Sequence, residues 1–468
     1  MRKSNNDSGL TARRSNRLLV AVLTALCAVS ASTLFAQDHD RLSERTIMGT
    51  ARYVGMSGAM TAIGGDPSAV LDNPAGLGLY RHHEAMVTFD YTLDKTQQIG
   101  RTDVLPGRAN LFMVPQGSIV VTVPTDNVTG EGVQFHNLMF CYSRVQTYNR
   151  EMRAAAAGGN SLGSLFASTG VDFEIPYATD PTNAYEKQAV IEAGAVNKFS
   201  FDWAMNISNR WYWGIGLRVH VYSFASEGAF EETFARVNES NVAMYNLNST
   251  SMLLRGVDCS LSTGLIYRPL SWLRLGFGLE TPSLGSCRGY SSGYLKALTD
   301  SVNISNAPDH NWPDASYHQP LHTSASVAFQ IGYYALLAFQ YDYWHPLAAM
   351  DKHSLRAGLE VIPIPGMYIN AGYAYESAFK NTFEPVPLAV ETREGKNYLD
   401  RQDAYYQYNR WTQYASVALG YRGISFMAQV AYQYRWQQFN LYAHQNVAEP
   451  YYMHADTHRI VLTLGWHK

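Results

Sequence analysis

Two short runs carry residue types that could do chemistry. His82-His83-Glu84 sets two imidazoles beside a carboxylate, and Gly55-Met56-Ser57-Gly58 sets a serine between glycines. Neither has the spacing its chemistry needs. A zinc-protease helix carries its histidines four residues apart, and a nucleophile elbow needs its second glycine two residues beyond the serine. The chain holds 14 His, among them His310, His318, His444 and His454, with no ligand-like pair on one strand face and no Cys-x-x-Cys-His. No enzyme activity, metal site or cofactor is expected from these residues, and the two runs read better as a strand entry and a turn. Of 4 Cys, Cys27 lies in the leader described below. Cys141, Cys259 and Cys287 are odd in number, which rules out a full disulfide framework and leaves at most one pair.

A different chemistry is offered by four arginines, Arg218, Arg274, Arg356 and Arg435, each on the polar face of an alternating segment. Facing the interior of a barrel, a guanidinium needs an acidic partner, such as Asp258, Glu280, Glu360 or Asp66. Structural pairing inside the wall is the plain reading of these residues. The functional reading is capture of a ligand carboxylate by a fork-shaped donor.

The elements that must position these groups are strands. Ile424, Phe426, Ala428, Val430, Tyr432, Tyr434 and Trp436 fall on one face, and Ser425, Met427, Gln429, Ala431, Gln433 and Arg435 on the other. The same period of two sets Trp211, Trp213, Ile215, Leu217 and Val219 against Tyr212, Gly214, Gly216, Arg218 and His220, and Leu355, Ala357, Leu359 and Val361 against Ser354, Arg356, Gly358 and Glu360. Strands this long outrun those of soluble sheets and suffice to cross an outer membrane at a tilt. Trp211, Trp213, Tyr375, Trp411, Tyr434, Trp436 and Trp466 gather toward strand ends, where interfacial girdles form.

Composition agrees. The chain has 32 Tyr, 36 Gly and only 16% charged residues, yet no run past the leader reaches the length of a spanning helix. Its slightly negative mean hydropathy looks soluble, but a barrel alternates its apolar half with a polar one, so average hydropathy is blind to it. A net charge of -3 gives no basic footprint for nucleic acid.

Turn spacing gives the count. Short turns near Asp126 to Gly130, Asn209-Arg210, Pro269 to Ser271, Gly332-Tyr333, Pro363 to Pro365 and Arg422-Gly423 interleave with long connections at Thr147 to Asn197, Gly228 to Ser251, Pro282 to Gln319 and Ala378 to Asn409. The expected fold is all-β, a transmembrane antiparallel barrel of about fourteen strands, with short turns and both chain ends in the periplasm. The last strand alternates Ile460, Leu462, Leu464 and Trp466 with Val461, Thr463 and Gly465. Barrel precursors end this way, with an aromatic that the barrel-assembly machinery reads, although His467 and Lys468 follow it here.

The N-terminus supplies the route. Arg2, Lys3, Arg13, Arg14 and Arg17 precede an apolar run from Leu18 to Val29 and small residues ending at Ala36. That is a secretory signal peptide over 1–36, cut between Ala36 and Gln37, with Ala31 as a competing cleavage position. Leu26 before Cys27 does not suit a lipoprotein site. Residues 37–80 then form a compact segment ahead of a barrel at 81–468, whose first strand lies near Glu84 to Tyr91. This segment is rich in small residues that let backbones pack closely. Asp66-Pro67 and Asn73-Pro74 are turn formers that also start short helices, and Gly76 can take the left-handed conformation.

The Gly-Met-x-Gly-Ala run at Gly55 to Ala59, the run Gly65-Asp66-Pro67-Ser68-Ala69 and Asn73-Pro74-Ala75-Gly76 resemble the N-terminal plug of the FadL/TodX family of outer-membrane transporters for hydrophobic molecules, especially the versions in Bacteroidetes. The resemblance implies a fourteen-stranded barrel in the lipid of the Gram-negative outer membrane. It also implies a plug that blocks the lumen, with hydrophobic ligands such as long-chain fatty acids or aromatic hydrocarbons entering from outside and leaving sideways. Asn73-Pro74-Ala75-Gly76 would be the latch of that plug. Two alternatives share the resemblance: a FadL-like barrel of the type IX secretion system that shuttles secreted protein cargo, and a haemin receptor.

Overall fold

A computed structural model describes residues 44–126, 130–157, 185–235, 242–298, 310–311, 315–317, 319–345, 351–377, 390–393, 396–399, 406–443 and 449–468. The expected cleavage point between Ala36 and Gln37 lies outside these residues, as do His318 and His444.

The chain forms one closed antiparallel barrel of 14 strands. They are β1 (Glu84–Gln98), β2 (Gly107–Pro124), β3 in two segments (Val133–Thr147 and Arg150–Ala157), β4 (Tyr185–Ile207), β5 (Trp211–Ala235), β6 (Val242–Leu270) and β7 in two segments (Leu273–Glu280 and Leu284–Leu298). The rest are β8 (Leu321–Ile331), β9 (Ala335–His345), β10 (Lys352–Val361), β11 (Met367–Ser377), β12 (Tyr406–Arg422), β13 (Phe426–Tyr442) and β14 (Tyr451–His467). Closure is made by β1 on β14, from Glu84 opposite His467 to Gln98 opposite Met453. Apart from the upper part of β2, described below, every strand is paired on both sides along the ring, which is what a membrane-spanning sheet requires.

Alternation sets the two surfaces. On β13, Phe426, Val430 and Tyr432 are exposed outward while Met427, Gln429, Ala431 and Gln433 are buried inward. On β5, Trp211, Ile215 and Leu217 face out, with Tyr212, Gly214, Gly216, Arg218 and His220 buried. Aromatics border the apolar band at both ends. At the short-turn end Trp211 stacks on Tyr267 at 3.9 Å and Phe426 meets Trp466 edge-on at 5.8 Å, and toward the other end Tyr434 stacks on Trp436 at 5.2 Å.

All the short connections fall at one end, where β4 and β5 are separated by 208–210, β6 and β7 by 271–272, and β12 and β13 by 423–425. At the opposite end the strands outrun the sequence reading. β1 continues past Tyr91 to Gln98, and the connection expected over Gly228 to Ser251 is strand as far as Ala235 and again from Val242. Within the connection expected over Pro282 to Gln319, β7 runs on to Leu298, and β4 begins at Tyr185 inside the one expected over Thr147 to Asn197. Beyond the bilayer a strand no longer needs an apolar outer face, so these extensions lose the pattern that marks the spanning part.

Residues 44–80 lie inside the ring. Helix α1 (Ala51–Gly55) is capped by Thr50, whose hydroxyl accepts from the Tyr53 N–H at 3.2 Å. Helix α2 (Pro67–Asp72) is capped by Asp66, which accepts from the Ser68 N–H at 2.8 Å with Pro67 in the first turn. Asp66 also accepts from the Thr50 hydroxyl at 2.7 Å, tying the two helix starts together. A 3-10 turn (Pro74–Leu79) follows, capped by Asn73, whose side-chain oxygen accepts from the Ala75 N–H at 3.0 Å. Gly76 does not adopt the expected left-handed conformation. The left-handed residues of this stretch are Ser57, Gly58, Gly64 and Gly65, with φ of 47°, 75°, 61° and 64°. Gly76 sits inside the 3-10 turn, where its small size matters instead: a Cβ there would lie 3.0 Å from the Gly64 Cα.

Candidate functional site

The lumen is layered, and the register of the wall defines the layers. Climbing β5 from the short-turn end, the inward positions are Tyr212, Gly214 and Gly216, then Arg218 and His220, then Tyr222 and Phe224. The first group meets the inner segment, the second is ionic and the third is aromatic, with the Tyr222 hydroxyl reaching down to Asp258.

In the lowest layer, wall glycines receive the backbone of the inner segment. A Cβ on Gly214 would lie 2.5 Å from the Pro74 carbonyl carbon, and one on Gly276 would lie 2.6 Å from the Ala62 Cα. Gly278 backs Asp72, while Gly358 and Gly372 back Met56. Polar contacts run round the ring. The Ala51 N–H donates to Thr463 at 2.8 Å, the Thr61 N–H to Gln340 at 2.9 Å, Ser68 to Gln116 at 2.6 Å, and Asn137 to the Leu77 carbonyl at 2.7 Å. Arg52 forks onto Glu360 at 2.6 and 2.8 Å. Burial lowers the Arg52 pKa, but the Glu360 carboxylate outweighs it and holds the guanidinium above its ordinary value; the buried Asp66 carboxyl is raised by desolvation against the opposing Arg52 charge.

The stretch expected to act as a latch lies in this layer. Asn73 is fully buried and donates to the Thr61 carbonyl at 2.9 Å and to the wall at the Leu265 carbonyl at 3.4 Å. Pro74 and Ala75 rest on Gly214, and the Gly76 carbonyl accepts from the Gly65 N–H at 3.0 Å. Asp66, Pro67 and Gly65 therefore join Asn73-Pro74-Ala75-Gly76 in one folded body. Ser57 belongs to the same packing, buried with its hydroxyl 2.7 Å from that of Ser416. At the strand entry, His83 accepts from the Thr122 N–H at 3.2 Å and Glu84 pairs with Arg422 at 3.0 Å.

The middle layer is a belt of ion pairs. All four predicted arginines face inward, but with different partners from those expected. Arg218 pairs with Asp202 at 2.5 Å, Arg356 with Asp342 at 3.1 Å, and Arg435 with Asp94 at 3.6 Å. Arg274 has no carboxylate at ion-pair distance among the described residues and donates to the Ile63 carbonyl at 3.3 Å and to Gln330 at 3.2 Å. The expected acids are taken by other groups: Glu280 by Lys198 at 3.1 Å and Arg45 at 3.3 Å, Asp258 by His220 at 2.7 Å, and Glu360 by Arg52. Cross-strand register, which the sequence pattern leaves open, decides these partners. Sequence reasoning missed Lys198, Arg150 and Arg459, the last buried on Asp90. Arg459 was readable, because it alternates with the outward Ile460 and Leu462.

Above the belt apolar side chains join inward polar ones such as Glu186, Gln188 and Glu192. Tyr148, Val196, Phe224 and Leu254 form one buried cluster, with Phe224 directly opposite Leu254. Phe439 lies opposite Met453, and Leu441 opposite Tyr451, on β13 and β14. Met152 and Phe230 are fully buried here, and the Arg150 guanidinium lies 5.5 Å from the Phe439 ring centre. Apolar inward residues at this height depart from the polar interior usual in barrels.

Beside this cluster the wall is broken. Pairing of β2 with β3 runs from Pro124 opposite Phe135 to Gln116 opposite Ser143 and stops. Higher up, β2 is paired with β1 and the second segment of β3 with β4. That segment passes behind β1 on the lumen side: Gln98, an inward residue, accepts from the Ala155 N–H at 2.8 Å and donates to its carbonyl at 2.9 Å. Three bonds that involve side chains cross the gap where a ladder would be: Asn149 donates to the Asn110 carbonyl at 3.2 Å, the Arg108 N–H to Glu151 at 3.4 Å, and Arg144 to the Met113 sulfur at 3.7 Å.

Cys141 is buried and Cys259 exposed, both free thiols; the side chain of Cys287 lies outside the described residues. His454 sits 3.5 Å from Asp456, and the side chain of His310 is likewise outside them.

No family model matches the chain, and no curated protein does. Solved structures do. A Pseudomonas aeruginosa FadL homologue aligns over 90% of this chain and 99% of its own at 12% identity, with a TM-score of 0.55. The Ralstonia pickettii toluene transporter TbuX (10% identity, TM-score 0.50) and the P. putida toluene transporter TodX (11%, 0.50) each cover 90% of this chain and 98% of their own. At such identities the likeness is one of architecture, and the chain has the fold of FadL and of the toluene transporters TbuX and TodX.

Proposed function

We propose that the chain is a channel of the Gram-negative outer membrane for passive uptake of hydrophobic small molecules, long-chain fatty acids or aromatic hydrocarbons, with residues 37–80 as the plug that gates it. One observation carries the reading: a cluster of apolar and aromatic side chains in the upper lumen, floored by ion pairs and lying beside a gap between β2 and β3. An apolar solute entering from outside meets matching side chains first. Going straight down, it would have to displace buried ion pairs, at about 3–5 kcal/mol for each pair broken. Going sideways through the gap it reaches lipid without that cost. The fold shared with a FadL homologue and two toluene transporters supports the same substrate class.

Bridging the gap tests it. Cysteines at Asn110 and Asn149, in a Cys259→Ser background, should react with a short cleavable bis-thiol reagent. Uptake of a labelled fatty acid or of toluene should fall to the level of a deletion strain and recover on cleavage. Uptake untouched by a completed cross-link would remove the sideways route.

A second reading, a type IX secretion barrel that shuttles cargo protein, draws on one observation. β4, β5 and β6 are 23, 25 and 29 residues long against 11, 10 and 11 for β9, β10 and β11, so one side of the wall stands well above the bilayer. Co-purification of a secreted protein, lost when those extensions are shortened, would favour it.

A further inference from the structure

We propose a second ligand site, at the short-turn end of the lumen, that binds a small organic anion by its carboxylate on Arg274. It lies below the ion-pair belt and does not rest on the uptake reading.

A cavity of about 280 Å³ opens there between the inner segment and the wall. Its charged residues are Arg52, Glu360 and Arg274. The first two neutralise each other through the bidentate contact already described. Among the described residues Arg274 is left with only neutral acceptors, the Ile63 carbonyl and Gln330, and its buried Nε has no partner. The other three inward arginines anticipated from the sequence each have a carboxylate. A half-buried guanidinium without a counter-charge is costly, and an anion that supplies one gains a charge-assisted contact in a partly dry site.

The remaining lining describes the rest of the ligand. Leu336, Ile362, Ile63 and Leu79 offer an apolar wall beside Arg274, and Tyr333 stands at the rim. The volume falls below the usual range for drug-sized ligands. Together these select a carboxylate with a short aliphatic tail over a long-chain lipid, and over inorganic phosphate, which has nothing to place on the apolar wall.

The test is calorimetric titration of the full-length protein in a non-ionic detergent with hexanoate, hexanol and inorganic phosphate. Hexanoate should bind saturably and more tightly than phosphate, and hexanol should not bind. Arg274→Gln should weaken hexanoate by about tenfold or more, whereas Arg274→Lys should retain most of the affinity. Leu336→Asp sets a carboxylate against Arg274 while leaving it in place, and should compete the ligand away. Heat-modifiable gel mobility confirms a folded barrel for each variant. Absence of saturable hexanoate binding, or binding indifferent to both Arg274→Gln and Leu336→Asp, would overturn the site. Phosphate binding as tightly as hexanoate would overturn the organic ligand and leave an inorganic-anion site in its place.

Discussion

Gly276→Ala should unseat the plug while leaving the barrel intact. Gly276 is held on both sides by the ladder, opposite Ile266 on β6 and Ser326 on β8, so the wall has little freedom to retreat. The added methyl would lie 2.6 Å from the Ala62 Cα and 2.7 Å from the Thr61 carbonyl oxygen, and both are backbone atoms. Ordinary carbon contact needs 3.5–4.0 Å, so the plug must withdraw by roughly an ångström. Two buried hydrogen bonds pivot on that spot, Thr61 N–H to Gln340 and Asn73 to the Thr61 carbonyl, each 2.9 Å long. Stretched by that amount, both pass beyond bonding range. Their loss is worth about 0.5–1.5 kcal/mol each and overpacking adds about 1–3, so docking should weaken by about 2–6 kcal/mol. Planar-bilayer recordings should show frequent openings, with heat-modifiable mobility unchanged. Gly117→Ala is the control, because a Cβ there meets nothing within 4 Å. If the Gly276 variant stays as closed as the Gly117 variant, the plug is not wedged against the wall glycines and the reasoning fails.

Asn73→Ala should cost about 1–3 kcal/mol of plug docking by removing the cap of the 3-10 turn and the bonds to Thr61 and Leu265, read as raised open probability in the same recordings. Asp202→Ala strands the fully buried Arg218 and should lower barrel stability by about 3–5 kcal/mol in denaturant unfolding, with much of that loss recovered in the Asp202→Ala/Arg218→Met double variant; no recovery would mean that Asp202 acts beyond its ion pair. Phe224→Asp, in the apolar cluster opposite Leu254, should abolish uptake of a labelled hydrophobic substrate without altering gel mobility, and unimpaired uptake would place the route elsewhere. Protease added to intact cells should cut within 158–184 and spare Asn209-Arg210; the reverse pattern would invert the barrel.

What could be read from the sequence follows from how a barrel wall is built. Each spanning strand must present apolar residues to lipid at every second position, so the inward direction of Arg218, Arg356 and Arg435 was visible from their own neighbours. Partner identity was not. Arg218 meets Asp202 because β4 and β5 pair in the register that sets Ser200 opposite Arg218, and no residue near Arg218 in the chain encodes that register. The caps at Asp66 and Asn73 were legible because they act over two or three residues. Gly76 misled for the opposite reason: its requirement is space beside Gly64, a contact made across the folded segment, and the conformational freedom that glycine advertises is used twelve residues earlier. The gap between β2 and β3 did leave a local mark that the period-two reading passed over: Pro115 stands where the strands part, and the inward set slips by one residue there, from Met113 and Pro115 to Gln116 and Ser118 on β2 and from Ser143 to Gln146 on β3.

The inner segment and the wall explain each other's composition. A segment of short helices and turns offers backbone atoms, rather than long side chains, as its outer surface, and a wall that receives them must lack side chains at matching positions. Gly214, Gly276, Gly278, Gly358 and Gly372 all face inward at the height of the segment, and none of the backbone they meet could come closer to a residue with a Cβ. In a two-sided sheet such glycines weaken the strands that carry them. Here hydrogen bonds donated from the segment to the wall, such as those of Ala51 and Thr61, offset part of that cost. Closed-ladder pairing holds the barrel up independently of its contents, so the segment can be displaced without loss of the wall. A body held by many small contacts against a rigid surface yields as a unit, which is the mechanical behaviour that the gate proposed above would require.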